Sequence, residues 1–165
     1  MTPMPRELWP AGGNLHWRLV TDTVMGGISR GILTHETIAG RDAVRMRGAV
    51  STENNGGFIQ IALDLDTDGG FIDASAFTAI AVDVFGNDET YGAHLRTTAI
   101  TRPQQSYRQG FVATSQWQTI SLPFALFTPH RIDAALDVSR LRRIGLVAIG
   151  REFDVDLAVA RLAVY

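Results

Sequence analysis

The chain has 165 residues, which suits one domain large enough to bury a core without disulfides or structural metals. It contains no cysteine, so disulfides and thiolate metal sites are excluded, and a formal net charge of −2 gives no reason to expect nucleic acid or an anionic membrane as the main partner. All 15 basic residues are arginine, which we attribute to compositional bias, with selection for bidentate anion contacts as the alternative.

The N-terminal residues have neither the pattern of a secretory signal nor that of an arginine-rich presequence. No segment approaches the roughly 18 consecutive apolar residues that a membrane-spanning helix needs. We therefore expect a cytoplasmic protein that does not span a membrane. Residues 1–14 are predicted to form a flexible N-terminal arm, and residues 15–165 a single β-sandwich domain.

Short segments with alternating apolar residues, separated by glycine, asparagine and aspartate, predict many strands. The clearest is Ile59–Leu65, in which the odd positions are apolar. The apolar phase of Phe153–Tyr165 changes near Ala158, which indicates a bulge or a strand buried on both faces. Helical turns are predicted only after Asp73 and Asp137. Further strands are predicted over 15–20, 28–38, 43–51, 80–84, 91–99, 106–114, 117–122 and 144–150. About ten strands without a long helix predict an all-β sandwich or barrel.

Two glycine-rich segments are candidate loops of a binding rim. Asp22 to Ser29 contains Gly26-Gly27, which permits positive φ angles, while the Asp22 and Ser29 side chains can bond nearby amides. This pattern favours a turn that holds the sheet register, and a ligand-facing loop is the alternative. Asn54-Asn55-Gly56-Gly57 has the composition of a tight hairpin turn, and its amides could also contact a sugar or a peptide.

Arg96 is predicted to lie on an exposed sheet face. Alternation places Tyr91, Ala93 and Leu95 on one face and His94, Arg96 and Thr98 on the other. Arg108 could project in the same sense from a neighbouring strand, with Gln60 nearby. Such a face could recognise a carboxylate, a glycan or a peptide backbone. The alternative is a solvated face on which Arg96 pairs with Asp64 or Asp83.

Most aromatic residues are interpreted as core or as seals at the sheet edges, with a stacking platform for sugars as the alternative. Tyr107 is the aromatic residue most open to a surface role. The complete set of predicted ligand- or partner-binding residues is Asp22, Met25, Ser29, Asn54, Asn55, Gln60, Arg96, Tyr107 and Arg108.

Three segments, WRLVTDTVMGGIS (17–29), GAVSTENNGGF (48–58) and WQTISLPF (117–124), together resemble the complex I intermediate-associated protein 30 (CIA30) family. A Tyr-x-x-x-Leu-Arg strand beginning at Tyr91 extends the resemblance, which covers the chain from about Trp17 to Tyr165. The resemblance implies a galactose-binding-like jelly roll. It also implies a role as a chaperone that assists assembly of respiratory complex I (NADH:ubiquinone oxidoreductase) by holding an intermediate.

No catalytic pattern is recognisable. The histidines have no metal-ligand spacing, and no nucleophile elbow or cysteine nucleophile is present. The acids Asp64, Asp66 and Asp68 are interpreted as a solvated turn, with a weak calcium site as the alternative. We predict a protein-binding module without cofactor, metal or nucleic-acid partner. A carbohydrate-binding module is the second hypothesis, and an enzyme whose pocket combines Asp22, Arg96 and a histidine is the third.

Overall fold

The computed structural model describes residues 4–53 and 57–165, so Asn54 and Asn55 lie outside the described residues. Within them the chain is helical only in 3-10 turns of three or four residues, and no helix there is long and apolar enough to cross a bilayer. The strands are β1 (Arg6–Trp9), β2 (Arg18–Thr21), β3 (Arg30–Ile38), β4 (Arg41–Val50), β5 (Phe58–Asp64), β6 (Ala79–Phe85), β7 (Glu89–Thr97), β8 (Ser106–Ala113), β9 (Gln118–Pro123), β10 (Thr128–His130), β11 (Leu141–Ile149) and β12 (Phe153–Val164).

The strands form two six-stranded antiparallel sheets that pack face to face. The first sheet has the order β3-β4-β12-β6-β9, and β1 pairs with the C-terminal part of β12. The second sheet has the order β10-β8-β7-β11-β5-β2. Because successive strands repeatedly cross from one sheet to the other, the architecture is a jelly-roll sandwich and the predicted all-β class is confirmed.

One continuous apolar core lies between the sheets. Ile59, Ile61 and Leu63 of β5 are fully buried, as the alternation predicted. The long strand β12 changes its inward-facing phase at a register shift between Val159 and Arg161, so the predicted bulge near Ala158 is confirmed.

Three local expectations are wrong. Residues 6–9 form β1 rather than part of a flexible arm, because Leu8 and Trp9 are buried against the core. The segment after Asp73 is a hydrogen-bonded turn without helix, whereas Val138–Arg140 forms a 3-10 turn capped by Asp137. The strands β4 and β5 do not form the expected hairpin, because β4 belongs to the first sheet and β5 to the second, and residues 54–56 between them lie outside the described residues.

Trp9 gives a direct test of whether β1 is part of the fold. Its ring packs edge to face on Trp17 with 5.9 Å between the ring centroids. We expect Trp9→Ala to lower the free energy of unfolding by about 3 kcal/mol, since a buried aromatic side chain is deleted. Urea unfolding of the variant measures this loss, with Met4→Ala, which truncates an exposed side chain, as the control. Equal stability of the two variants would mean that residues 6–9 are a loose arm after all.

Candidate functional site

The carboxylate of Asp22 is fully buried and is a structural hub. Asp22 follows β2 and opens a 3-10 turn that ends at Met25. Its Oδ1 accepts a hydrogen bond from the backbone N–H of Ser29 at 2.9 Å. Its Oδ2 accepts from the Ser29 hydroxyl and from the backbone N–H groups of Gly57, at 2.6 Å, and Phe58, at 3.3 Å. A buried charge without a cation needs several donors of this kind, and Asp22 has four.

The same contacts remove Asp22 and Ser29 from the surface. Ser29 is also buried, and its hydroxyl bonds the backbone of Ser51 beyond β4. Gly27 packs so closely on Asp22 that a Cβ there would lie 2.5 Å from the carboxylate carbon. The prediction that Asp22 and Ser29 contact a ligand directly is therefore wrong, because both side chains are buried and hydrogen-bonded to other parts of the chain.

Replacement of Asp22 by asparagine tests this hub. Burial alone would raise the pKa of Asp22, but the hydrogen bonds from Ser29, Gly57 and Phe58 outweigh burial and lower the pKa below its ordinary value. We expect Asp22→Asn to cost about 2–3 kcal/mol of unfolding free energy at pH 7, because an amide cannot accept all of these bonds.

The pH dependence has a definite sign. A carboxylate whose folded-state pKa is lowered contributes stability above its unfolded pKa of about 3.9 and loses it as the pH falls through the folded value. The difference in unfolding free energy between wild type and Asp22→Asn should therefore be largest at pH 7 and decrease below about pH 4. Urea unfolding at several pH values measures this difference in unfolding free energy. A difference that stays constant down to pH 2 would contradict a stabilising role for the ionised Asp22 carboxylate.

The outward face of the second sheet gathers basic residues from several strands. One row of paired positions runs Arg108, His94, Gly145, Ala62 and Arg18 across β8, β7, β11, β5 and β2. Alternation points these side chains away from the core, because the residue that precedes each of them in the sequence is buried.

The next row contains Arg96, Arg143 and Asp64, again directly paired across three strands. A register shift in β11 between Leu141 and Arg143 brings Arg142 to the same margin, where it donates a hydrogen bond to the Gly69 carbonyl. We call this surface the arginine face. Among the described residues, its charged members are Arg18, Arg96, Arg108, Arg142, Arg143 and Asp64.

Three glycines form the floor of the arginine face. Gly110 is paired with Gly92, and Gly145 lies one strand further along β11 on the diagonal. A Cβ at Gly110 would meet only a carbonyl oxygen, 3.7 Å away, so the space above it is open. The His94 ring lies over Gly92, and the Gln60 amide lies over Gly145. The centre of the face is therefore shallow and is bordered by planar polar groups.

Arg96 has no carboxylate partner within the described part of the chain. Its guanidinium donates to the carbonyls of Pro103, at 3.1 Å, and Arg102. The alternative, in which Arg96 pairs with Asp64 or Asp83, is not observed. Asp64 accepts from Arg143 at 2.7 Å and from Arg18 at 3.0 Å, and Asp83 accepts from Arg41 at 2.9 Å. Burial, followed by repulsion from Arg143 and Arg142, lowers the pKa of Arg96. Asp64, Gly69 and the three arginines 96, 142 and 143 line a small open pocket.

The pocket has a volume of about 70 Å³, far below the 300–1,000 Å³ typical of sites that enclose a small-molecule ligand. It has room for a single small group, such as a carboxylate. The acidic turn beside it contains no described cluster of three or more residues placed to hold a metal ion, and the Asp64 carboxylate is occupied by arginines. The arginine face can therefore present guanidinium groups to an anionic group that enters from solvent.

His94 lies in the middle of the face as a neutral base. Burial, and then the charges of Arg108 and His130, lower the pKa of His94 to about 3. The ring is uncharged at neutral pH and can both donate and accept a hydrogen bond.

This lowered pKa predicts an acid-sensitive fold. The unfolded chain binds a proton at His94 near pH 6.5, whereas the folded chain resists protonation until about pH 3. Stability should therefore fall as the pH drops from 7 to 5, and His94→Gln should make that fall smaller. Urea midpoints at pH 7 and pH 5 measure it, with the exposed His16→Gln as control. If the urea midpoint of His94→Gln fell as much between pH 7 and pH 5 as that of wild type, the burial of His94 would be contradicted.

The structure brings Gln60, Arg96 and Arg108 to the arginine face, and their role in binding stays a prediction. Tyr107 is fully buried on the opposite side of β8 and donates to the Ala134 carbonyl at 2.8 Å, so its predicted surface role is wrong. Met25 ends the turn that Asp22 opens. The predicted set lacked His94, Arg142, Arg143 and the three glycines, although the phase of these residues relative to the apolar residues of β7, β8 and β11 could have identified all but Arg142.

The outward face of the first sheet differs in its charge balance. Four of its arginines pair with carboxylates of other strands, whereas Arg30 at the start of β3 has no such partner among the described residues. The pairs are Arg41 with Asp83, Arg45 with Asp156, Arg47 with Glu36, and Arg161 with Glu7. That surface therefore resembles an ordinary solvated sheet face, whereas the arginine face keeps an excess of positive charge.

Fold and surface together define a galactose-binding-like jelly-roll sandwich. Solved structures with this fold include the family 11 carbohydrate-binding module of Clostridium thermocellum in complex with a beta-1,3-1,4-mixed-linked tetrasaccharide, at 13% identity and a TM-score of 0.71, covering 97% of this chain and 93% of that one. The family 30 carbohydrate-binding module of a cellulosomal cellulase of Clostridium thermocellum is also similar, at 13% identity and a TM-score of 0.59, covering 84% and 93%. At these identities the likeness concerns the fold alone.

The chain belongs to the family of Complex I intermediate-associated protein 30 (CIA30), whose model matches residues 10–159. The family resemblance inferred from the sequence motifs is thereby confirmed. No curated protein matches the chain significantly.

Proposed function

We propose that this chain is a non-catalytic protein-binding module that holds a partner through its arginine face. Because the chain is a CIA30 family member, the proposed partner is an assembly intermediate of respiratory complex I, and the chain acts as an assembly chaperone. The observation that carries the proposal is the imbalance on one face, where five arginines accompany Asp64, and the other nearby carboxylates, Asp66 and Asp68, lie on the turn at its margin.

The geometry of the face supports a binding mechanism without covalent chemistry. Guanidinium groups form directional, charge-assisted hydrogen bonds, and the open space above Gly110 lets another backbone approach the sheet closely at β8. Asp22 and Arg96, which the enzyme hypothesis would combine, lie near opposite ends of the second sheet, about 20 Å apart along β5 at the usual rise per residue. The arrangement thus favours recognition over catalysis.

Gly110→Leu should block the face without disturbing the fold. The added side chain enters open space, so we expect the unfolding free energy to change by less than about 1 kcal/mol. Affinity purification of tagged protein from the host, with quantitative mass spectrometry, should recover complex I subunits with wild type and lose them with Gly110→Leu. Ala49→Leu, which adds the same side chain to the exposed face of the first sheet, should recover them as wild type does.

Two outcomes would contradict the proposal. Recovery of no complex I subunit by well-folded wild type would remove the proposed partner. Undiminished recovery by Gly110→Leu would show that another surface holds the subunits.

A carbohydrate-binding module is the second candidate, because the amide of Gln60 and the imidazole of His94 lie over Gly145 and Gly92, where sugar hydroxyls could bond to them. Sugar recognition usually also uses stacking rings, and Phe58 is the one phenyl ring among the described positions of this face. Calorimetric titration with mixed-linked glucan oligosaccharides separates the candidates. Heat that Gly110→Leu abolishes would favour the carbohydrate, and no heat with any sugar class would remove it.

A further inference from the structure

We infer that the partner segment bound by the arginine face is an extended acidic peptide of a protein, with carboxylates on alternate residues that pair with Arg96 and Arg108. This inference rests on the proposed protein-binding function and specifies the chemistry of the partner. It follows from the placement of two guanidinium groups that have no carboxylate partner among the described residues, the spacing between them and the open surface beside them.

The first argument is the unsatisfied charge. Arg96 and Arg143 are directly opposite one another on adjacent antiparallel strands, a placement that is unfavourable for like charges. Asp64 compensates Arg143 and Arg18, but Arg96 bonds only carbonyl oxygens. Arg108 donates to the Ser106 hydroxyl and likewise lacks a carboxylate among the described residues. An incoming carboxylate would relieve this repulsion, whereas a neutral ligand would not.

The second argument is the spacing. Arg108 is paired with His94, and Arg96 follows His94 by two residues on the same strand. The two arginines therefore occupy diagonal positions, about 7–8 Å apart for adjacent strands. Alternate residues of an extended peptide are separated by about 6.6 Å and point to the same side. Carboxylates at positions i and i+2 fit this separation, whereas those at i and i+1 point to opposite sides.

The third argument is the shape of the surface between the arginines and the open edge. The space above Gly110 is open, so a peptide backbone can lie close to the sheet there, whereas the His94 ring covers the neighbouring Gly92. Neutral His94 does not add to the repulsion between the arginines and can donate to a carboxylate. Asp66 and Asp68 lie on the turn beside Asp64 and make the outer margin acidic, which favours entry of carboxylates along the glycine floor rather than over that turn.

Fluorescence anisotropy with labelled synthetic peptides tests the inference on the full chain. The probes are Ser-Glu-Ser-Glu-Ser, its isomer Ser-Glu-Glu-Ser-Ser, and Ser-Gln-Ser-Gln-Ser. We expect the alternating glutamate peptide to bind at least tenfold more tightly than the glutamine peptide and about threefold more tightly than its isomer. Binding should weaken between 50 and 300 mM salt.

Arg96→Gln should weaken binding of the alternating peptide about tenfold, whereas Arg30→Gln, which removes an exposed arginine from the first sheet, should change it less than twofold. Because Arg96 also bonds the loop at Pro103, Arg108→Gln serves as a second variant with the same expected loss. Urea unfolding of each variant establishes that the fold is retained.

Equal affinity for the two glutamate isomers, or equal losses in Arg96→Gln and Arg30→Gln, would overturn the inference. Tighter binding of free succinate or of an eight-nucleotide single-stranded DNA than of the peptide would also overturn it. If none of these peptides binds but Gly110→Leu still abolishes capture of complex I subunits, only the inference of an acidic segment is contradicted. Equal recovery of complex I subunits by wild type and by Gly110→Leu would contradict the proposed function.

Discussion

The buried carboxylate of Asp22 joins segments that belong to different sheets. Asp22 follows β2 of the second sheet, Ser29 precedes β3 of the first, and Gly57 precedes β5 of the second. A charge without a cation in the interior is tolerated only when donors surround it, and each donor here comes from a chain crossing between the sheets. These bonds fix the relative position of β2 and β5 at one end, and with it the register that brings the basic residues of the second sheet into rows.

The two outer faces of the sandwich are built on the same alternation but differ in their electrostatics. On the first sheet, cross-strand ion pairs such as Arg45 with Asp156 satisfy both partners, so an incoming charge would have to displace an existing one. On the second sheet, Arg96 and Arg108 are held half-buried and bond only neutral oxygens. Their partial desolvation is already present before any partner arrives, so a carboxylate gains the charge-assisted bond at a smaller further cost.

Alternation explains why most of the fold was predictable and where prediction stopped. The phase of Tyr91 and Leu95 correctly placed Arg96 outside, and the same rule applied from Phe111 would have buried Tyr107. The burial of Asp22 could not be seen, because an aspartate beside glycines has the pattern of an exposed loop until distant amides converge on it. Two further features could not be predicted from local sequence, because they depend on contacts between residues far apart in the chain. These are the bulge that turns Arg142 to the arginine face and the crossing of the chain between the sheets after β4.

A protein segment and a sugar are the two candidate ligands of the arginine face, and the chemistry of that face can be used to compare them. A sugar ring gains most from a flat aromatic partner, whereas the described centre of the arginine face has glycine, imidazole and amide groups between guanidinium groups. Guanidinium groups favour planar anions that accept two bonds. The jelly roll thus supplies a sheet face that is open to either class, and the residues placed on it favour the acidic segment of a protein, because function resides in the site rather than in the scaffold.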